Sequence, residues 1–152
     1  MNELGYMKHS PERRALFDRT YIKMAETFAE LSYAERKKVG AIIVSENDQI
    51  ISQGFNGTVP GFPNVCEGED GKTTWDVLHA ETNAISKCAR YGNSTNNATL
   101  YVTLSPCPNC AKMIVQAGIK RVVYTRTYKD TTGIEFLKQC SIEVVHLNSE
   151  EK

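Results

Sequence analysis

No charge excess, no long apolar run and no leader-like start mark this 152-residue chain. Lysine plus arginine and aspartate plus glutamate both number 18, so the formal net charge is zero. That balance argues against a non-specific polynucleotide binder, which carries a basic face. No apolar stretch approaches membrane-spanning length, and Met1-Asn2-Glu3-Leu4-Gly5 shows no basic region leading into an apolar one. The expected setting is cytoplasmic, where thiols stay reduced. Histidine is scarce at three residues, and cysteine is odd in number at five. Internal repeats and low-complexity segments are absent. A chain of this length buries roughly 68–70% of its unfolded surface, enough for a core without staples, and a single domain over residues 1–152 is expected.

Turn chemistry and apolar spacing divide the chain. Ser10-Pro11-Glu12 reads as a helix start, a capping hydroxyl followed by proline at the first helical position. Leu16, Ile22, Met24, Phe28 and Leu31 mark the expected buried stripe of a helix reaching about Tyr33. Val39–Val44 reads as a buried strand, Asn47-Asp48 as a turn, and Ile50–Phe55 as the hairpin partner. An irregular stretch from Asn56 to Asp76 is long enough to be functional. Then come a helix from about Val77 to Tyr91 stopped by Gly92, and an alternating strand from Leu100 to Leu104. A helix from Pro106 to Ala117 stopped by Gly118 follows, with a strand from Arg121 to Thr125. A helix from Thr132 to Cys140 and a strand from Ile142 to Leu147 complete the pattern, before a polar tail from Asn148 to Lys152. Helices between the later strands imply parallel pairing with right-handed crossovers. The expected fold is α/β, a three-layer helix-sheet-helix sandwich on a mixed five-stranded sheet.

The chemistry concentrates in His79-Ala80-Glu81 and Pro106-Cys107-Pro108-Asn109-Cys110. Cys107 and Cys110, three apart at a helix start, share a face, and the helix N-terminus favours their thiolates. With His79 they make three ligands, which leaves open the fourth position that catalytic Zn2+ requires. Glu81 need not bind the metal and is free to move protons. The spacing H-x-E…P-C-x-x-C is the signature of the zinc-dependent nucleobase deaminases. A structural zinc site or a redox pair is the competing reading of Cys-x-x-Cys, but no second Cys-x-x-Cys or histidine pair supplies a fourth ligand. Cys66, Cys88 and Cys140 stand alone and read as filler or surface thiols, and His9 and His146 as surface or strand-end residues.

At these residues the chain resembles the deoxycytidylate (dCMP) deaminases, in the bacteriophage and bacterial branch of the zinc-dependent cytidine/deoxycytidylate deaminase superfamily. The resemblance rests on Val39-Gly40-Ala41, Gly54-Phe55-Asn56-Gly57, Gly61-Phe62-Pro63-Asn64, His79-Ala80-Glu81 with Asn83-Ala84-Ile85, Leu100 to Lys112, and Gln116 to Lys120. It implies a cytidine deaminase-like fold and hydrolysis of dCMP to dUMP and ammonia, feeding thymidylate synthesis. It implies His79, Cys107 and Cys110 on zinc, Glu81 as proton shuttle, and Asn56, Ala80 and Ser105 against the substrate. It also implies a homohexamer activated by dCTP and inhibited by dTTP with Mg2+, located in the host cytoplasm if a phage encodes it. An effector nucleotide would then meet Gly54, Phe55, Asn56 and Gly57, where the family more often has Tyr in place of Phe55. Arg36, next to Lys37 and Lys38, would meet its phosphates.

Candidate cations for a substrate phosphate are Arg126, Lys129 and Arg90, the last read alternatively as a subunit contact. No membrane or nucleic-acid polymer is expected as partner. Two rival readings stay open: a tRNA adenosine deaminase, which would want a basic groove, and a zinc-stabilised nucleotide sensor without turnover, in which Glu81 would have no purpose.

Overall fold

The computed structural model describes residues 9–148, so the first residues and the end of the polar tail lie outside the described residues. The element order is α1 (Pro11–Ala29), β1 (Gly40–Val44), β2 (Ile50–Phe55), α2 (Ala80–Tyr91), β3 (Thr99–Leu104), α3 (Pro108–Gln116), β4 (Arg121–Arg126), α4 (Thr132–Gln139) and β5 (Glu143–His146). The strands form one mixed sheet in the order β2-β1-β3-β4-β5. β1 is antiparallel to both β2 and β3, whereas β3, β4 and β5 run parallel. Helix α1 covers one face through Tyr21, Ile22 and Ala25 against Ile42, Tyr101 and Val123. On the other face α2, α3 and α4 bury Ala84, Ile114 and Leu137 against Ile43, Leu100 and Val122. This is the expected three-layer sandwich. No described helix is long and apolar enough to cross a membrane.

Four expectations need correction. First, α1 stops at Ala29, and Leu16 and Leu31 point to solvent at 44% and 55% exposure. Its buried face is Asp18, Tyr21, Ile22, Ala25 and Ala29. Ala25 and Ala29 let the helix backbone press against Gly40, where a Cβ would strike the Ala25 carbonyl. A stripe sought among large apolar residues misses a face built on small ones. Second, β3 does not alternate: Thr99 to Thr103 are all buried, because helices cover both sides of this central strand.

Third, α2 begins at Ala80 rather than Val77. The Leu78 N–H and C=O are both spent on Gly57, at 2.8 and 3.1 Å, so the helix cannot start before His79 caps it. Fourth, α3 begins at Pro108 rather than Pro106. Proline disfavours helical backbone in the residue before it, which leaves Cys107 extended as the cap. The Ser10 cap, the Asp48 turn with positive φ and the left-handed Gly92 stop are as read from sequence.

Candidate active site

Two helix N-termini meet over the ends of β1 and β3, and both are capped by residues other than the usual hydroxyl or amide side chains. His79 caps α2 and Cys107 caps α3. Helix α2 is seated by the Ser52 hydroxyl donating to Ala84 O at 2.7 Å and by Asn83 Nδ2 donating to Phe55 O at 3.0 Å. Gly54 makes that seating possible, since a Cβ there would fall 2.7 Å from Ala80 O and 2.8 Å from Ala84 N. Helix α3 follows the end of β3, which is tied to β4 by Ser105 N–H donating to Arg126 O at 2.8 Å.

His79 Nδ1 lies 3.6 Å from Cys107 Sγ and 3.3 Å from Cys110 Sγ, and the three donor atoms all fall within 4.8 Å of one another. Tetrahedral zinc bonds of about 2.0–2.1 Å to nitrogen and about 2.3 Å to sulfur place nitrogen and sulfur roughly 3.6 Å apart. The donor set and its spacing therefore fit a zinc ion with one corner open. Among the described residues this is the one such cluster. Cys66 is buried in the wall of the cavity beside the cluster, Cys88 is buried elsewhere, and Cys140 is exposed.

One sulfur of the pair is poised to become anionic. The Cys110 thiol, then His79 and the Cys110 backbone N–H, pull the Cys107 thiol down to about 4 against the opposing effect of burial. Cys110 is pushed up because it holds the shared proton. The hydrogen bond to Cys107 raises His79. Glu81 is 4% exposed, and burial pushes its carboxyl up to about 7. Its own backbone N–H, His79 and the Cys110 thiol work the other way and are outweighed.

These groups sit at the base of a cavity of about 970 Å³, counting its open mouth. His79, Ala80, Glu81, Ser105 and Cys107 line it, and so does Asn56. Asn56 is also a strut: Oδ1 accepts from Val39 N–H at 2.8 Å and Nδ2 donates to Lys37 O at 2.8 Å. The Ser105 hydroxyl oxygen accepts from Tyr128 N–H at 2.7 Å. Arg36, Lys37 and Lys129 bring three cations to the walls, with the Lys37 ammonium 5.3 Å from the Tyr128 ring centre. Arg36 is held by donating to Gly71 O at 2.9 Å.

The other candidates do not reach this cavity. Gly54 and Gly57 are buried and Phe55 is half-buried, none of them lining it. Arg126 donates to Lys38 O instead. Arg90 lies in the last turn of α2, exposed over the Tyr91 ring and roughly 16 Å along the helix axis from His79. Sequence reading placed Arg36 and Lys37 in an effector site, yet they face the same cavity as Glu81. It overlooked Tyr128, which lies just past the carboxyl end of a parallel strand, where α/β sheets place their ligands.

Residues 16–126 match the family model described as the cytidine and deoxycytidylate deaminase zinc-binding region. The chain is 34% identical to the deoxycytidylate deaminase of Enterobacteria phage T4, covering 84% of this chain and 88% of that protein. It is also 34% identical to ComE operon protein 2 of Bacillus subtilis (strain 168), over 91% of this chain and 75% of the relative. A solved dCMP deaminase from the cyanophage S-TIM5, in complex with dCMP and dUMP, superposes with a TM-score of 0.85 at 45% identity, covering 92% of this chain and all of that one. The chain belongs to the cytidine and deoxycytidylate deaminase family of zinc-binding enzymes.

Proposed function

We propose that this enzyme hydrolyses dCMP to dUMP and ammonia, supplying dUMP for thymidylate synthesis. One observation carries the reading: a buried carboxyl, Glu81, stands beside the His79/Cys107/Cys110 cluster at the base of a cavity walled by cations. The relatives named deoxycytidylate deaminase, and the S-TIM5 enzyme bound to dCMP and dUMP, support the substrate assignment.

His79, Cys107 and Cys110 hold the ion. Zinc, when bound, supplies Lewis acidity that brings a water's pKa close to about 7. Glu81, raised to about 7, exchanges protons readily near neutrality. It takes a proton from the attacking water, delivers one to the ring nitrogen N3, and assists departure of the 4-amino group as ammonia. Ala80, in the first turn of α2, lines the cavity, and its N–H has no partner within the helix ladder. Ser105 holds the wall beside them. Asn56 keeps one N–H for the sugar. Lys37, Lys129 and Arg36 receive the phosphate, a role a single anionic group can draw from a chain of zero net charge.

The reading extends to a cytoplasmic single-domain protomer in a homohexamer, activated by dCTP and inhibited by dTTP with Mg2+. The Gly54–Gly57 segment is the proposed effector contact, Arg36 being given instead to the substrate phosphate, and Arg90 is the proposed subunit contact. Support for assembly comes from exposed apolar side chains, Leu31, Tyr33, Phe62, Val65 and Trp75, in the segments before β1 and before α2. The test is ammonia release from dCMP, CMP, deoxycytidine and a tRNA anticodon stem-loop, with and without a chelator. Release from dCMP that the chelator abolishes is expected. Equal rates on deoxycytidine, or full activity in metal-free protein, would refute the reading. A mass measurement in solution and titration of dCTP and dTTP test the assembly and its regulation.

A further inference from the structure

The first turn of α2 brings a fourth polar side chain to the sulfur pair. His79 and Thr82 are three apart and share one face of α2, as Cys107 and Cys110 share one face of α3. The two pairs face each other. Thr82 Oγ1 lies 3.8 Å from Cys110 Sγ, within hydrogen-bonding range for sulfur. A threonine in a helix ordinarily turns its hydroxyl back to the carbonyl four residues earlier. Here that carbonyl belongs to Leu78 and accepts from Gly57 N–H at 3.1 Å, while the Thr82 hydroxyl turns to Cys110 instead. Cys110 is 3% exposed, so water cannot readily replace a lost donor on its sulfur.

We infer that Thr82 is a positioning residue of the metal centre, its hydroxyl donating a hydrogen bond to the Cys110 sulfur. The inference rests on the zinc reading above. A thiolate has no proton to donate, so when Cys110 binds a metal the hydroxyl is the donor. The bond fixes the Cys110 side chain in its ligating rotamer. It also withdraws electron density from the sulfur, so two anionic ligands quench the ion's Lewis acidity less. Partners of this kind, one bond removed from the metal, commonly change metal affinity by about 10–100-fold.

The experiment compares the wild-type protein with Thr82→Val and Thr82→Ser, each loaded with zinc and challenged with a chelator, and each loaded with cobalt(II) for spectroscopy. Thr82→Val should lose zinc affinity by about tenfold or more. Its sulfur-to-cobalt charge-transfer band should move to longer wavelength, as the sulfur becomes more electron-rich. Thr82→Ser, which keeps the hydroxyl, should match the wild type in both. Metal-free wild type and Thr82→Val should unfold at the same temperature, which separates the bond to sulfur from helix packing. Thr82→Val that holds zinc as tightly as wild type with an unmoved band, or Thr82→Ser that fails like valine, overturns the inference. A wild-type protein that takes up no zinc would overturn the zinc reading itself.

Discussion

Asp18 and Glu81 are buried to nearly the same depth, 3% and 4% exposed, on opposite faces of one sheet. Asp18, on the α1 side, is fully partnered. Arg121 donates to its two oxygens at 2.7 and 2.6 Å, and the Tyr101 hydroxyl donates at 2.6 Å. Arg121 is in turn paired with Glu143. Glu81, on the α2 side, has no lysine or arginine in ion-pair contact among the described residues, and burial pushes it up to about 7. Equal burial therefore has two outcomes. A buried acid with a guanidinium clamps α1 to β3 and β4. A buried acid without one becomes an exchanger of protons near neutral pH. The two acids differ in partner, not in depth.

The comparison breaks first at Glu81. Glu81→Gln should lower turnover by about 10²–10⁴-fold while zinc content and the urea unfolding midpoint hold. A near-normal rate would mean that the unpartnered acid is not the proton carrier. Asp18→Ala should do the reverse. Removing one member of a buried pair leaves the Arg121 charge and the Tyr101 hydroxyl stranded, a loss of about 3–5 kcal/mol in denaturant unfolding, with kcat per folded molecule unchanged. A stability loss under about 1 kcal/mol would show that solvent or Glu143 satisfies Arg121 without it.

Asp48 sharpens the contrast from between the extremes. It is 25% exposed and paired with Arg14 at 3.0 Å and His9 at 2.7 Å. Burial raises its carboxyl, but the hydrogen bonds from Arg14 and His9 outweigh that and leave it below its ordinary value. A carboxyl lower in the folded than in the unfolded chain stabilises above the unfolded value of about 3.9, and this contribution is lost as pH falls through the lower folded value. Melting temperatures of wild type and Asp48→Asn should therefore differ at pH 6, by no more than about 1 kcal/mol in stability, and converge toward pH 3. A gap that widens on acidification would reverse the sign of the argument.

The candidate zinc tripod and Glu81 were legible in the sequence because each half is local: one residue separates His79 from Glu81, two separate Cys107 from Cys110, and a helix start orients both. β2 was legible because it lies between turn residues and pairs with its neighbour. Other features were not. The buried face of α1 includes Asp18 and two alanines, which carry little apolar signal. The cations that wall the cavity were divided between an effector site and a substrate site, because Arg36 and Lys37 precede β1 while Lys129 follows β4. Arg90 shares a helix with Glu81 but stands at its other end.

By itself the sequence determined the candidate ligand set, the acid beside it, the order of helices and strands and the mixed sheet, all of which follow from short spacings and capping chemistry. Only the tertiary structure decided where α2 and α3 begin, which charges line the cavity, and that Asp18 meets Arg121 across 103 residues while Glu81 meets no such partner. The physical reason is that helix starts and the partnering of buried carboxyls here depend on contacts between segments far apart in the chain: Gly57 holding Leu78, and a guanidinium present on one face of the sheet and absent from the other.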